Sequence, residues 1–204
     1  MPSYKLTYFD AKGRAESIRL ALHISGIPFT DERLTREQFA SKKESLPFGQ
    51  VPVLTVDDKV IPQEVAILQY IGRLSGLYPS DREEALNVDI MINVTNDFYG
   101  SMIVFYMPDG QAKTEMKKMV IGEKIPKLLD YLEKNLGKSG TTFCAGDKLT
   151  IADLRLYSII TAFKSGMLDG FPVELVDKYP HVTKLYHAVH GHEKVASWNK
   201  TQEK

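Results

Sequence analysis

The feature that most limits what this chain can become is a change of pattern near residue 77. Before it, short β-compatible runs alternate with helical ones; after it, alternating strand runs stop. Leu6 and Tyr8 belong to a first strand candidate, rich in aromatic and β-compatible residues. A turn at residues 10–13 follows. Residues 14–25 then place Ala15, Ile18, Leu22 and Ile24 at helical spacing, with Gly26 as a natural C-cap and Pro28 beyond it. Residues 29–34 read as a second strand, and Thr35 opens a short polar helix carrying Phe39 and Lys43. Residues 51–56 and 59–61 form a hairpin about the Asp57-Asp58 pair. From Gln63 the pattern is helical again, with Ile67, Leu68 and Ile71 on one side, and Gly76 ends it.

The spacing predicts two domains: residues 1–76 in the order βαβαββα, a linker at 77–83, and an all-helical domain at 84–204. Residues 85–107 read as one long helix stopped by Pro108-Asp109-Gly110. Residues 114–136 read as another, with Pro126 inside it as a kink or interruption. Residues 137–147 form a loop, 151–165 a compact apolar helix, and shorter helices including Trp198 finish the chain. The fold class expected is α/β plus all-α.

Composition excludes several functions. Lys and Arg total 26 and Asp and Glu total 26, so the basic excess of a phosphate-tracking nucleic-acid binder is missing. Hydrophobic residues at 43% are enough to build a core, which excludes disorder as the dominant state. Residues 1–9 lack the basic and long apolar regions of a signal peptide, and no apolar stretch approaches the roughly 20 residues that cross a bilayer. The last residues match no lipidation or retention signal. Cys144 is the single cysteine, so no intrachain disulfide can form and a reducing compartment is compatible. A soluble, cytoplasmic protein is expected.

The chain has no Cys-x-x-Cys, His-Glu-x-x-His, Gly-x-Ser-x-Gly or Gly-rich phosphate loop, so any chemistry rests on other groups or on a co-substrate's reactive atom. The strongest cluster is Tyr8-Phe9 at a strand end, close to Gly13, Arg14 and Glu16 at a helix start. A helix N-terminus favours an anion, and a tyrosine hydroxyl there can donate to a bound thiolate. The plainer alternative is a surface tyrosine capping an apolar strand.

Residues 8–19 (YFDAKGRAESIR) resemble the N-terminal signature of cytosolic glutathione S-transferases, nearest the sigma class, which includes glutathione-dependent prostaglandin D synthases. Residues 46–54 (LPFGQVPVL) are similar to the family's segment leading into a cis-proline, here Pro52, and residues 63–68 (QEVAIL) to the start of its third helix. Asn96-Asp97 lies where sigma enzymes have an acidic pair, and Thr150-Ile151-Ala152-Asp153 is similar to the family's capping box. The resemblance implies a thioredoxin-like glutathione-binding domain, a helical domain contributing the electrophile pocket, and a homodimer. It implies that Tyr8 stabilises the glutathione thiolate, supported by Arg14. Lys43 meets the glycyl carboxylate, Val51 pairs its backbone with the cysteinyl backbone, and Gln63 holds the γ-glutamyl end. Gln50, Pro52 and Phe39 complete the glutathione site, and Asp97 reaches the γ-glutamyl amine bound in the other subunit. Glutathione is the co-substrate, a small electrophile the second substrate, and no metal is expected. Phe9, Tyr99, Ile103 and Val104 are the candidates for the apolar electrophile pocket, although an apolar stripe at helical spacing also suits a core.

Two positions depart from the family pattern. Glu64 stands where a Ser or Thr hydroxyl usually binds the γ-glutamyl carboxylate. Either its side chain swings to solvent and only its N–H meets the ligand, or like charges weaken glutathione binding. Phe39 stands where sigma enzymes often carry tryptophan, keeping the apolar wall without the indole donor. His181, His187, His190 and His192 read as a solvated helix end rather than a metal site, and Cys144 as a packing residue. Three functions follow: conjugation of glutathione to hydrophobic electrophiles, isomerisation of a prostaglandin endoperoxide, or a non-catalytic binding or structural role on the same scaffold.

Overall fold

The structure, a computed structural model, describes residues 2–202. In chain order its elements are β1 (Tyr4–Phe9), α1 (Glu16–Ile24), β2 (Thr30–Leu34), α2 (Arg36–Lys42), β3 (Val53–Val56), β4 (Lys59–Pro62), α3 (Glu64–Ser75), α4 (Arg82–Met102), α5 (Gln111–Met119), α6 (Ile125–Ser139), α7 (Ile151–Lys164), α8 (Pro180–His190) and α9 (Glu193–Thr201). Two compact units result. Among the described residues, one joins residues 2–79 with residues 191–202, and the other is Ser80–His190.

The first unit is a thioredoxin-like mixed sheet in the order β2-β1-β3-β4. β1 and β2 are parallel, which requires the α1 crossover; β3 and β4 are antiparallel and need only a tight turn. Leu6 and Leu54 face each other across β1 and β3, both fully buried with Ile18, Leu22, Ile67, Leu68 and Ile71 of α1 and α3. Polar residues sit in the same interior. Arg19 is fully buried and Glu16 is 4% exposed. Arg19 Nη1 lies 3.2 Å from Glu16 Oε2 and its Nε 3.0 Å from Asp31 Oδ1, so the cation is paired rather than stranded.

Three boundaries differ from the sequence pattern. α1 starts at Glu16, because Gly13–Ala15 form a tight 3-10 turn instead of helix. β3 starts at Val53, because the Val51–Pro52 peptide is cis and Pro52 has no N–H for the ladder. The pattern also assigns residues 84–204 to the helical unit, whereas α9 packs with the sheet. Trp198 Nε1 donates to Glu16 Oε1 at 2.9 Å, Lys194 Nζ donates to Ile24 O at 2.5 Å, and His23 Nε2 lies 2.9 Å from Ser197 Oγ. α9 has an apolar face made by Val195 and Trp198, and α1 is what that face meets.

The second unit is helical. Asp81 caps α4, its Oδ1 accepting from the backbone N–H of Glu83 and Glu84 at 3.0 Å. The helix expected at 114–136 is two helices joined by a wide π turn at Val120–Lys124. Pro126 falls in the first turn of α6, where its missing N–H costs nothing. α6 then runs to Ser139, into the stretch expected to be loop. α7 is buried along most of its length. At its start the Asp153 carboxylate accepts from Thr150 N at 2.8 Å, Thr150 Oγ1 at 2.7 Å and Cys144 N at 2.7 Å, so the box also pins the preceding loop. Among the described residues, no helix is long and apolar enough to cross a membrane.

Candidate functional site

Tyr8 occupies the penultimate position of β1 and is half-buried. Its hydroxyl oxygen accepts from the backbone N–H of Arg14 at 3.3 Å. That approach depends on Gly13, whose φ is +44° and where a Cβ would stand 2.7 Å from the Tyr8 oxygen. Only a residue without a side chain lets the turn close over the phenol. An oxygen that already accepts from an N–H is polarised, which makes its own proton a better donor to an anion.

Arg19 holds this turn in place. Its Nη1 donates to Ala11 O at 2.9 Å and Lys12 O at 3.2 Å, the two residues before Gly13. Its guanidinium carbon lies 5.9 Å from the centroid of the Tyr8 ring. Sequence reasoning missed this role. The signal was present, since Glu16 and Arg19 are charges three apart inside an otherwise apolar run, and such a pair is buried only when compensated.

Beside the turn, a cavity of about 40 Å³ is lined by Arg14, Pro47, Gln50, Val51, Pro52, Pro62, Gln63 and Glu64. It therefore brings together six expected site residues from three separate stretches of chain, and adds Pro47 and Pro62 as walls. Gln63 has φ +70°, uncommon for a residue with a side chain, and so turns the chain sharply from β4 into α3. Glu64 follows in the first turn of α3 and is only 6% exposed. The expectation that its side chain swings to solvent is overturned. Glu64 is instead one of the residues that line the cavity.

The other expected residues lie apart from that lining. Phe39 on α2 is half-buried, its ring 5.0 Å from Phe9, and Phe9 in turn lies edge-on to Tyr8 at 5.5 Å. Lys43 is exposed just beyond α2, its stem packed close to Gly49. Asp97 belongs to the helical unit. It is exposed on α4 and lines an open groove of about 600 Å³ with Leu86, Asp89, Ile90, Asn93, Val94 and Asn96. Of the helical candidates for an apolar pocket, Tyr99 (8% exposed) and Val104 (2%) are interior residues, and Ile103 is 57% exposed.

The late histidines serve local contacts. His190 Nδ1 is 3.0 Å from Tyr157 Oη and its ring stacks on Tyr186, while the backbone N–H of His181 is held by Glu133. Among the described residues, no three His, Cys, Asp or Glu side chains gather as metal ligands would. Burial first, and then the charge of Asp153, push the Cys144 thiol well above its ordinary range, which keeps it protonated and poorly nucleophilic.

Comparison with known proteins agrees with this architecture. Residues 4–73 match the glutathione S-transferase N-terminal domain family, and residues 96–202 the glutathione S-transferase C-terminal domain family. The chain is 36% identical to glutathione S-transferase 1 of Ascaris suum, covering 91% of this chain and 93% of that protein. It is 32% identical to the hematopoietic prostaglandin D synthase of Gallus gallus, covering 97% and 96%. The solved structure of prostaglandin synthase D of Nilaparvata lugens superposes with a TM-score of 0.90 at 32% identity, over the full length of both chains.

Proposed function

This chain belongs to the glutathione S-transferase family, and on that premise we propose that Tyr8 is its catalytic hydroxyl, donating a hydrogen bond to the thiolate of bound glutathione. It is a glutathione transferase, an enzyme that takes glutathione as co-substrate. The observation that carries the assignment is the contact of the Tyr8 oxygen with the Arg14 N–H over Gly13, beside a cavity walled by Gln50, Val51, cis-Pro52 and Gln63.

The energetics are adequate. Shifting a thiol pKa from about 8.5 to about 6.5 needs roughly 2.7 kcal/mol. One hydrogen bond to a charged group supplies about 1.5–3 kcal/mol. The thiolate then attacks an electrophilic carbon. A C–S bond forms, and either a leaving group departs with its electron pair or an activated double bond takes up the charge and then a proton.

The rest of glutathione follows from matching chemistry to position. The Val51 backbone pairs with the cysteinyl backbone as an added strand, Lys43 meets the glycyl carboxylate, and Arg14, Gln50, Gln63 and Glu64 surround the γ-glutamyl end. Phe39 and Phe9 form an aromatic wall. Phe9 offers the electrophile an apolar contact within the sheet unit. The active form is a cytoplasmic, sigma-class homodimer that detoxifies electrophiles. The α4 groove suits a second copy because Leu86 and Ile90, four apart and each about half exposed, form an apolar strip beside Asp97. Asp97 then reaches the γ-glutamyl amine in the partner's site.

A conjugation assay with glutathione and a chromogenic aryl halide, comparing wild type with Tyr8→Phe, tests the mechanism. Activity that ignores the substitution would remove Tyr8 from its role. The likeness to prostaglandin D synthases supports a second reading, isomerisation of a prostaglandin endoperoxide by the same thiolate. Conversion of that endoperoxide, measured beside the aryl halide, separates the two.

A further inference from the structure

We infer that Trp198 on α9 and Gln202 at its C-terminal end are positioning residues for the Tyr8 hydroxyl. They fix the two carboxylates that hold the Arg19 guanidinium, and through it the turn over the phenol. The role rests on the glutathione reading above and adds to it a control over how acidic the bound thiol becomes.

Two routes run from α9 to Arg19, both inside the sheet unit. In the first, the Trp198 indole N–H donates to Glu16 Oε1 at 2.9 Å, and Glu16 Oε2 accepts from Arg19 Nη1 at 3.2 Å. In the second, Gln202 Oε1 accepts from Arg33 Nη2 at 2.7 Å. Arg33 Nε then donates to Asp31 Oδ2 at 2.8 Å, and Asp31 Oδ1 accepts from Arg19 Nε at 3.0 Å. Each carboxylate therefore has one oxygen held from the α9 side and offers the other to Arg19. On the first route Arg19 is fully buried, Glu16 is 4% exposed and Trp198 9%, so water is poorly placed to replace a lost donor. The second is wetter, with the side chains of Asp31 and Arg33 19% and 29% exposed, so it counts for less. Among the described residues Arg19 Nη2 meets no acceptor, which leaves Nη1 and Nε to set the tilt of the rigid guanidinium plane. The same Nη1 grips Ala11 O and Lys12 O at 2.9 and 3.2 Å, directly before Gly13. Beyond Gly13, the Arg14 N–H reaches the Tyr8 oxygen at 3.3 Å, already long for such a bond. A small shift of the turn is enough to lose it. The phenol then becomes a weaker donor, and the thiol it serves becomes less acidic.

The test reads acidity rather than stability. Thiolate absorbance of bound glutathione, taken as the difference between loaded and free protein, is titrated with pH, and kcat/KM for an aryl halide is measured over the same range. Trp198→Phe keeps an aromatic ring and removes the N–H. It is expected to raise the pKa of the bound thiol by about half a unit to one unit, cutting kcat/KM about threefold to tenfold on the acid side of the titration and little on the alkaline side. Gln202→Ala is expected to shift the profile the same way by about twofold to threefold, and keeps the test valid if Trp198→Phe does not fold. Ser197→Ala removes the α9 contact with His23, which lies off both routes, and is expected to leave the thiol pKa in place. An unshifted profile in Trp198→Phe and Gln202→Ala, or an equal shift in Ser197→Ala, would overturn the inference while a shift in Tyr8→Phe keeps the glutathione reading intact. An unshifted profile in Tyr8→Phe would overturn both.

Discussion

Two recesses among the described residues are built on opposite principles. The one in the sheet unit is small, about 40 Å³, and combines a buried carboxylate, a guanidinium, a cis-proline and a residue at positive φ. The one on α4 is open, about 600 Å³, with exposed Leu86 and Ile90 among exposed polar neighbours. The first fixes few atoms in defined directions, which suits recognition of a small ligand. The second offers area with little orientation, which suits association with another surface. Polar and charged groups are gathered where the backbone is most constrained, and apolar surface is exposed where it is regular helix.

The comparison breaks most visibly at the groove. Leu86→Glu with Ile90→Glu places like charges face to face in a two-fold contact, and is expected to weaken self-association about a thousandfold. Sedimentation equilibrium reads this, and an unchanged oligomer would show that the groove is not the contact. Tyr8→Phe acts beside the small cavity. It is expected to lower kcat/KM about tenfold to a hundredfold while the unfolding midpoint holds. Gly13→Ala tests the constraint itself. A Cβ 2.7 Å from the Tyr8 oxygen at φ +44° must displace the phenol, so stability is expected to fall by about 1–2 kcal/mol in urea unfolding, with activity falling too. Thr150→Ala touches neither recess and is expected to cost about 1 kcal/mol with kcat/KM unchanged. Unchanged stability would remove the cap from its role.

The smallest effect is a dependence on pH confined to the sheet unit. Burial, and secondarily the charge of Lys194, lower the pKa of His23 from its ordinary 6.5. Between the lowered value and 6.5 the unfolded chain binds more protons than the folded one, so stability rises with pH across that window. Acidification through 6.5 is therefore expected to loosen α9 from α1, and His23→Gln to flatten the slope. Urea unfolding at a series of pH values measures both, and an identical slope in the variant would place the dependence elsewhere.

Much of this protein is written in short-range pattern. Alternation at Leu6 and Leu54 and helical spacing at Ile67, Leu68 and Ile71 mark faces to be buried, and each face is buried. Gly76 ends α3 in a left-handed conformation, as a glycine at that place should. The motifs about Tyr8, Pro52 and Gln63 named the family before any geometry was known. Pattern fails where a residue's partner is remote. Trp198 is an apolar residue on a helix by spacing, and only folding brings it to Glu16, 182 positions earlier.

The sequence by itself determined most of the strands and helices, though not all of their ends, and which family the chain belongs to. Those depend on backbone preference and on the period of apolar residues, both local quantities. Tertiary structure alone decided that Glu64 is buried at a cavity instead of exposed to water, that Arg19 holds the turn over Tyr8, and that α9 leaves the helical unit for the sheet unit. A charge is buried at a position only if distant groups compensate it, and that compensation exists only in three dimensions.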